Sequence, residues 1–385
     1  MPIPGSSREL LVVAGEASGD RAAAAVLERL EGVRSFGLGG PALRDAGMEV
    51  LGDLRASTAL GIGETALRAH AVLAAWRSVL RAARRRRPRA ALLVNYSEFN
   101  ARIAPALHRD GVRVLWYGAP QVWAWRPRRT EALRRCVDRM AVVLPFEEDL
   151  WRRAGVDAHY VGHPVLETTQ LPRDAARSAL GLTPLASAVA VMPGSRPHEV
   201  RRLLEPMLDA YERVRADRAS VDARVLVAAS LDAATRTWLR RTCEAWRVAT
   251  FDVDPHVGAI NVLPAFDVAL CASGTASLEA ALARAIPVVA YRVGMATEVA
   301  ARALLRTPEV ALPNILLQRR VFPELLQRDV RADRLAVALA DTLDGRAGLL
   351  GACDELHAVL GGPRTPSVTV ARMLAPWIDA RARAA

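Results

Sequence analysis

Short apolar runs rich in β-branched residues alternate along this chain with longer amphipathic stretches of alanine, leucine and arginine, and this alternation restricts the fold most. Strands buried on both faces of a parallel sheet read as continuous apolar runs, with a helix in each crossover. The pattern predicts strands over Glu9–Ala14, Ala90–Asn95, Val112–Tyr117, Arg139–Leu144 and His159–Val161. A second series follows at Ser187–Met192, Ala223–Ala228, Val248–Phe251, Val268–Cys271 and Pro287–Tyr291, with helices such as His198–Ala216 and Ala276–Arg284 between them. The expectation is an α/β protein of two consecutive doubly wound units. A length of 385 residues, more than one core usually organises, agrees with it. The junction is expected between Pro164 and Pro184, where Glu167-Thr-Thr-Gln-Leu-Pro-Arg-Asp reads as a linker, giving units of 1–166 and 167–364. Thr365–Ala385 reads as one helix, with Val368, Ala371, Met373, Leu374, Trp377 and Ile378 apolar, and is expected to pack back on the first unit.

Hydrophobic residues make up 51% and charged residues 24%, ordinary values for a globular protein. No apolar window of about 18 residues is present to span a bilayer. The N-terminus lacks a basic region followed by a long apolar one, so the chain is expected in the cytoplasm. Cys136, Cys243, Cys271 and Cys353 lie far apart and read as reduced, buried thiols. The seven histidines form no metal-spaced cluster, and His163 in Gly162-His-Pro164 reads as a hydrogen-bonded structural residue. Neither a metal nor a cofactor is expected. The formal charge of +11 is mostly arginine, which suits a polyanionic partner surface, either nucleic acid or anionic lipid.

Ligands of doubly wound sheets sit beyond the carboxyl ends of strands, at loops entering helices. Three such loops stand out. Ala14-Gly-Glu-Ala-Ser-Gly-Asp20 closes the first strand, and its glycines allow close backbone approach ahead of a helix start that favours an anion. An ordinary turn capped by Ser18 or Asp20 fits the same string. Pro193-Gly-Ser-Arg196 opens the second unit with loop amides and a cation. Capping explains Ser195 there, but an arginine beside loop amides suits a diphosphate. Ser273-Gly-Thr275 begins a later helix, with Glu279 one turn further in, where a carboxylate can accept from ribose hydroxyls. Two anion-ready helix starts in one unit point to a nucleotide diphosphate. Neither carries the Walker lysine, and no dinucleotide glycine fingerprint is present.

With these loops in order, the chain resembles the lipid-A-disaccharide synthase family over residues 9 to about 375. The likeness rests on Ala14–Asp20; Gly39-Gly-Pro41 with Ala46-Gly47; Leu60-Gly-Ile-Gly-Glu64; Phe99-Asn100; Val122-Trp-Ala-Trp-Arg126; Leu144-Pro-Phe-Glu147; Val161-Gly-His-Pro164; and Pro193–Arg196. It continues through Ser273–Thr275 with Leu278-Glu279, Ala290-Tyr-Arg292, Leu312-Pro-Asn314 and Pro323-Glu-Leu-Leu326. The resemblance implies two Rossmann-like domains facing across a cleft, the GT-B type, and metal-free inverting hexosyl transfer. It implies UDP-2,3-diacylglucosamine as donor and the 6-hydroxyl of 2,3-diacylglucosamine 1-phosphate as acceptor. Carried over residue by residue, Gly194, Ser195, Arg196, Ser273, Gly274, Thr275, Glu279 and Asn314 fall on the UDP side. Glu16, Ser18 and Gly19 fall in the cleft beside the acceptor, and Glu64 is assigned to the same side. Trp123 and Trp125, flanking Ala124, read either as lining an acyl groove on that side or as core aromatics.

Two departures matter. The family usually carries Ile-Asp-x-Pro-Asp-Phe-Asn where this chain reads Val94-Asn-Tyr-Ser-Glu-Phe-Asn100, so Asn95 stands in place of the aspartate expected to act as general base. An amide does not take a hydroxyl proton as a carboxylate does. Glu98 or Glu16 as base, Asn95 as an orienting group with late proton loss, and a slow or inactive chain all stay open. Tyr117-Gly-Ala-Pro-Gln121 also departs from the family's usual Tyr-x-Ser-Pro-Ser. The alternative functions are another UDP-sugar enzyme of this architecture, such as a UDP-N-acetylglucosamine epimerase or a peptidoglycan-type transferase, and an impaired UDP-sugar binder.

Helical spacing over Leu67–Arg87 gathers Leu67, Val72, Leu73, Trp76, Val79 and Leu80, ahead of Arg84–Arg87 and Arg89. Such a stretch suits an anionic bilayer surface, and acylated substrates favour that over nucleic acid. The expectation is peripheral attachment to the cytoplasmic face of the inner membrane. A packed helix with a solvated basic end is the competing reading.

Overall fold

The computed structural model describes residues 8–52, 65–125, 129–218, 220–292 and 309–379, with the side chains of 65–69, 124 and 125 outside that description. The chain divides into two compact units, Met1–Glu167 with Gly361–Ala385, and Thr168–Leu360. The first contains β1 (Glu9–Ala14), α1 (Ala17–Leu27), β2 (Arg34–Leu38), α2 (Pro41–Asp45), β3 (Glu49–Gly52), α3 (Thr65–Arg86), β4 (Ala90–Val94) and α4 (Ser97–Arg109). It continues with β5 (Arg113–Tyr117), α5 (Val122–Trp125), α6 (Arg129–Arg134), β6 (Arg139–Val142), α7 (Pro145–Arg153) and β7 (Ala158–Tyr160). The second runs α8 (Arg173–Ala179), β8 (Ser187–Met192), α9 (Pro197–Asp217), β9 (Val221–Val227), α10 (Ala233–Ala245), β10 (Ala249–Asp252), β11 (Val268–Ala272), α11 (Thr275–Leu282) and β12 (Ile286–Tyr291). After α12 (Leu312–Leu317), β13 (Glu324–Leu326) and α13 (Ala332–Val359), the chain ends its described part in α14 (Pro366–Ile378).

All described strand pairs are parallel, in the orders β3-β2-β1-β4-β5-β6-β7 and β10-β9-β8-β11-β12-β13. Both sheets are covered on two faces, and β1 shows how the sequence brings this about. Leu10 and Val12 join one apolar cluster with α1 and α14, while Leu11 and Val13 join another with Ile103 of α4 and Trp151 of α7. Side chains alternate across a strand, so an unbroken apolar run is what burial on both faces demands. Each of those four residues is fully buried, contributing about 1.5–3 kcal/mol.

The central strands match their expected positions to within a residue or two. Three others, β2, β3 and β13, fall where no strand was expected. β2 contains Ser35 and Gly37, which dilute the apolar signal; Gly37 has φ 149° and a Cβ there would collide with the Val12 carbonyl. The other two are edge strands of four and three residues.

α14 lies on the first unit, its stripe of Val370, Ala371, Leu374 and Ile378 buried in the cluster around β1 and β4. Ser367 donates from its N–H (3.0 Å) and hydroxyl (2.7 Å) to the Glu167 carboxylate. Arg113 and Arg139 stand over the Trp377 ring, at 5.6 and 5.2 Å from its centroid. The helix stops at Ile378, short of the expected Ala385; residues 380–385 lie outside the described part.

The apolar stripe of α3 is described only in part. Val79, Leu80, Ala82 and Ala83 are buried in the first unit's core, with Val72 and Trp76 packed against it, while Leu73 is 40% exposed. From Val72 onward most of that face is therefore spent inside the protein, while the side chain of Leu67 lies outside the described residues. What remains outside is the basic end: Arg81, Arg84, Arg85, Arg87 and Arg89 are exposed. Among the described residues, no helix is long and apolar enough to cross a membrane.

Candidate functional site

In each sheet the strand order reverses at one place, between β1 and β4 in the first unit and between β8 and β11 in the second. The two connections leave in opposite directions there, opening a crevice beyond the carboxyl ends. The loops and first helical turns after these four strands hold Glu16, Ser18 and Gly19; Asn95 and Glu98; Gly194, Ser195 and Arg196; and Ser273, Gly274 and Thr275. Topology thus gathers most of the candidate residues at two switch points.

At the first switch point the loops are locked together. Asn95 and Tyr96 both adopt left-handed backbone, φ 49° and 37°, an uncommon strain for consecutive non-glycine residues. Asn95 donates its N–H to the Tyr117 carbonyl at 2.9 Å, and the Asn100 side-chain amide donates to the Asn95 carbonyl at 2.9 Å. The Asn95 side chain is wedged between two glycines. A Cβ on Gly19 would come within 3.3 Å of Asn95 Nδ2, and one on Gly118 would overlap Asn95 Oδ1. A Cβ on Gly15 would collide with the Tyr96 ring. Glu16, between Gly15 and Gly19, is therefore carried on a loop packed directly on Asn95 and Tyr96. It is the N-cap residue of α1 and makes no side-chain cap bond to it.

Two expectations change. Asp20 does not cap α1; buried, it accepts from the N–H groups of Gly40 (2.6 Å), Ala42 (3.1 Å) and Leu43 (3.4 Å) and so caps α2. Glu98 is exposed in the first turn of α4 and pairs with Arg129 at 2.6 Å. It shares a shallow cavity with Ala101, Arg102 and Pro105, along the outer face of α4. Glu64 lies outside the described residues, as does the side chain of Trp125.

Further along the same edge, Trp123 on α5 is half-buried and donates its indole N–H to Glu147 Oε1 at 3.0 Å. Its ring meets Phe146 edge-on, with centroids 5.2 Å apart. Glu147, in the first turn of α7, is 1% exposed, and its other oxygen accepts from the Leu144 N–H at 3.4 Å. Burial pushes its carboxyl up to about 8. A carboxyl raised in the fold binds more protons folded than unfolded between its ordinary value and about 8, so its contribution to stability falls across that window. The thermal midpoint of the wild type should drop between about pH 5 and 8 by more than that of Glu147→Gln, whose amide does not titrate. Equal slopes in the two melting series would contradict this assignment. His163 is also buried; its Nδ1 accepts from the Val165 N–H at 3.2 Å, and burial lowers it to about 4, leaving a neutral structural ring.

At the second switch point several polar groups are already engaged. Glu199 on α9 accepts from the Ser195 and Arg196 N–H groups at 3.2 and 3.3 Å and pairs with the Arg196 guanidinium at 3.3 Å. The cap is thus supplied by Glu199 and not by Ser195, and the loop amides expected to be open carry a carboxylate. Gly194 and Gly274 have φ 123° and 129°, conformations that favour glycine, and the space a Gly274 side chain would enter is open. The Ser273 hydroxyl donates to the Val310 carbonyl at 3.0 Å, so its proton is spent on the protein. Asn314 is fully buried: its amide donates to the Phe322 carbonyl and to Glu324 Oε1, and its oxygen accepts from the Val321 and Phe322 N–H groups. No hydrogen-bonding capacity remains in that side chain for a nucleotide. Glu324, which sequence reading placed in a motif without a role, accepts from the N–H groups of Val310 (3.0 Å) and Ala311 (3.1 Å) and from Asn314. Glu279 is buried on α11, one turn beyond Thr275. Among the described residues, no group of three or more histidine, cysteine, aspartate or glutamate side chains is placed to hold a metal ion.

Two successive doubly wound parallel sheets, each with its switch point followed by loops that enter helices, are the fold class of GT-B glycosyltransferases and of UDP-N-acetylglucosamine 2-epimerases. A solved structure described as a putative UDP-N-acetylglucosamine 2-epimerase from Listeria monocytogenes superposes with a TM-score of 0.64, at 11% identity, covering 95% of this chain and 96% of that one. The family model described as lipid-A-disaccharide synthetase matches residues 10–348. Lipid-A-disaccharide synthase of Anaeromyxobacter sp. (strain K) is 42% identical over 374 residues, 94% of this chain and 96% of its own. That of Myxococcus xanthus (strain DK1622) is 41% identical over 333 residues, 85% and 86% of the two chains. The chain belongs to the lipid-A-disaccharide synthetase family and is a hexosyl-transferring glycosyltransferase.

Proposed function

We propose that the chain moves 2,3-diacylglucosamine from UDP-2,3-diacylglucosamine to the 6-hydroxyl of 2,3-diacylglucosamine 1-phosphate, releasing UDP. The observation that carries this reading is the coincidence of the family's motif loops with the switch points of both sheets. UDP is held by the second unit. Arg196 exchanges Glu199 for the diphosphate, the helix starts at Arg196 and Thr275 face its charge, and Glu279 accepts from the ribose. Ser273, Glu324 and Asn314 hold the loop around Val310 through their mutual bonds.

The acceptor is handled by the first unit, around Ser18, Gly19, Asn95 and Trp123. Glu16 takes the proton of the acceptor hydroxyl while Asn95 orients that hydroxyl. The oxygen then bonds to the anomeric carbon from the face opposite the diphosphate, the bond from that carbon to the diphosphate oxygen breaks, and UDP departs with the electron pair. Glu98 is a poorer base, since it lies exposed in the first turn of α4 and lines a cavity along that helix's outer face with Ala101, Arg102 and Pro105. On this reading the chain works at the anionic cytoplasmic face of the inner membrane, a role supported by the exposed arginines at the end of α3.

The test is UDP release with each substrate supplied or withheld. Release that needs both acylated sugars is expected. Turnover of an unacylated UDP-sugar alone, or none with the correctly acylated pair, would rule the reading out.

A further inference from the structure

We propose that Glu147 is a positioning residue for acceptor binding, holding the Trp123 indole in one orientation from beneath the acceptor side of the first unit. The inference rests on the reading above that Trp123 belongs to that side. β1, β4, β5 and β6 are consecutive neighbours in the sheet, so the loops after them form one row. Glu16 and Asn95 occupy the first two places of that row, Gly118 and Trp123 the third, and Phe146 and Glu147 the fourth.

Trp123 sits on a helix of only four residues, too short to fix a large side chain by itself. Its orientation comes from α7 instead, through the edge-on contact with Phe146 and the bond from its indole N–H to Glu147. Glu147 is an unusual choice for a buried site. Among the described residues it has no cation at ion-pair distance, and its partners are an indole N–H and a backbone N–H. Burying a carboxyl without a counter-ion is costly, and the reach back to the Leu144 N–H that caps α7 occupies only one of its two oxygens. The bond to Trp123 is what the second oxygen adds. An indole tied at its nitrogen presents the same apolar face at every encounter, which suits an acylated sugar whose chain or ring face lies against it.

Initial rates measured with acceptor and UDP-sugar varied separately test this in Trp123→Ala, Trp123→Phe, Glu147→Ala, Glu147→Gln and the Trp123→Phe/Glu147→Ala pair. Trp123→Phe and Glu147→Ala should each raise the acceptor KM by about 3- to 15-fold, the effect of one lost hydrogen bond, with the donor KM unchanged and kcat at saturation within about twofold. The double variant should be no worse than either single one. Glu147→Gln, whose amide oxygen still accepts from the indole, should stay near wild type. A purely structural role for Glu147 would lower the melting temperature without moving the acceptor KM, and that result overturns the proposal. So do multiplying effects in the double variant. Should Glu147→Ala fail to fold, the decision falls to Trp123→Phe, which overturns the proposal by keeping the wild-type acceptor KM. A wild-type acceptor KM in Trp123→Ala refutes the placement of Trp123 itself, and the inference with it. An effect there but none in Glu147→Ala refutes only the inference.

Discussion

Glu16→Gln should lower kcat by about 10²- to 10⁴-fold, the usual contribution of a positioned general base, while leaving the KM for the UDP-sugar unchanged. The expectation follows from where the first sheet reverses. Glu16 follows β1 and Asn95 follows β4, and those strands are adjacent at the switch point. On the reading proposed above, with an amide at position 95, the Glu16 carboxylate on the facing loop receives the proton. Glutamine keeps the size of Glu16 while removing its charge and basicity, so donor binding on the other unit should survive. Steady-state kinetics with both substrates varied separate the two effects, and a fall confined to the donor KM would remove Glu16 from the chemistry.

Gly118→Ala should cost about 1–3 kcal/mol of stability and at least about tenfold in kcat, through two independent causes. Gly118 has φ 76°, which an alanine adopts only under strain. Its position is fixed from both sides, by its own N–H donating to the Ala141 carbonyl at 2.9 Å and by the Trp116 indole donating to its carbonyl at 3.0 Å. The backbone cannot easily yield, and the added methyl overlaps Asn95 Oδ1. Asn95 must then turn away from the crevice. A second change, Asn95→Ala, removes the overlap but not the φ strain, so the double variant should regain part of the melting temperature and none of the activity. Recovery of activity in that variant would show that Asn95 has no part in turnover.

The sequence exposes the centre of each sheet and hides its edges, for a physical reason. β1, β4, β8 and β11 are apolar on both faces, which leaves an uninterrupted run, whereas β3 and β13 are brief and β2 gives two of five positions to Ser35 and Gly37. The loops that enter helices after those strands were legible as well, because glycine, small polar residues and a helix start follow them directly. What could not be read is how far the polar side chains satisfy one another. Glu199 on the Ser195 and Arg196 amides, Asn314 saturated by Phe322 and Glu324, and Asp20 capping α2 across the chain are properties of three-dimensional neighbours. For the same reason α3 was ambiguous: the apolar stripe that suits a bilayer also suits a sheet, and only the cluster shared with Phe36 and Ile103 shows that Val79 and Leu80 are spent on packing.

UDP release at saturating donor and acceptor, measured side by side for Glu16→Gln, Glu98→Gln and Glu16→Gln/Asn95→Asp, tests most directly the claim that proton transfer has moved to Glu16. Glu98→Gln should retain nearly wild-type turnover, and Glu16→Gln should lose most of it. The double variant should recover a substantial part, because it returns a carboxylate to the end of β4, and left-handed backbone at position 95 is tolerated by aspartate as it is by asparagine. Full turnover in Glu16→Gln, or a hundredfold loss in Glu98→Gln, would contradict the account.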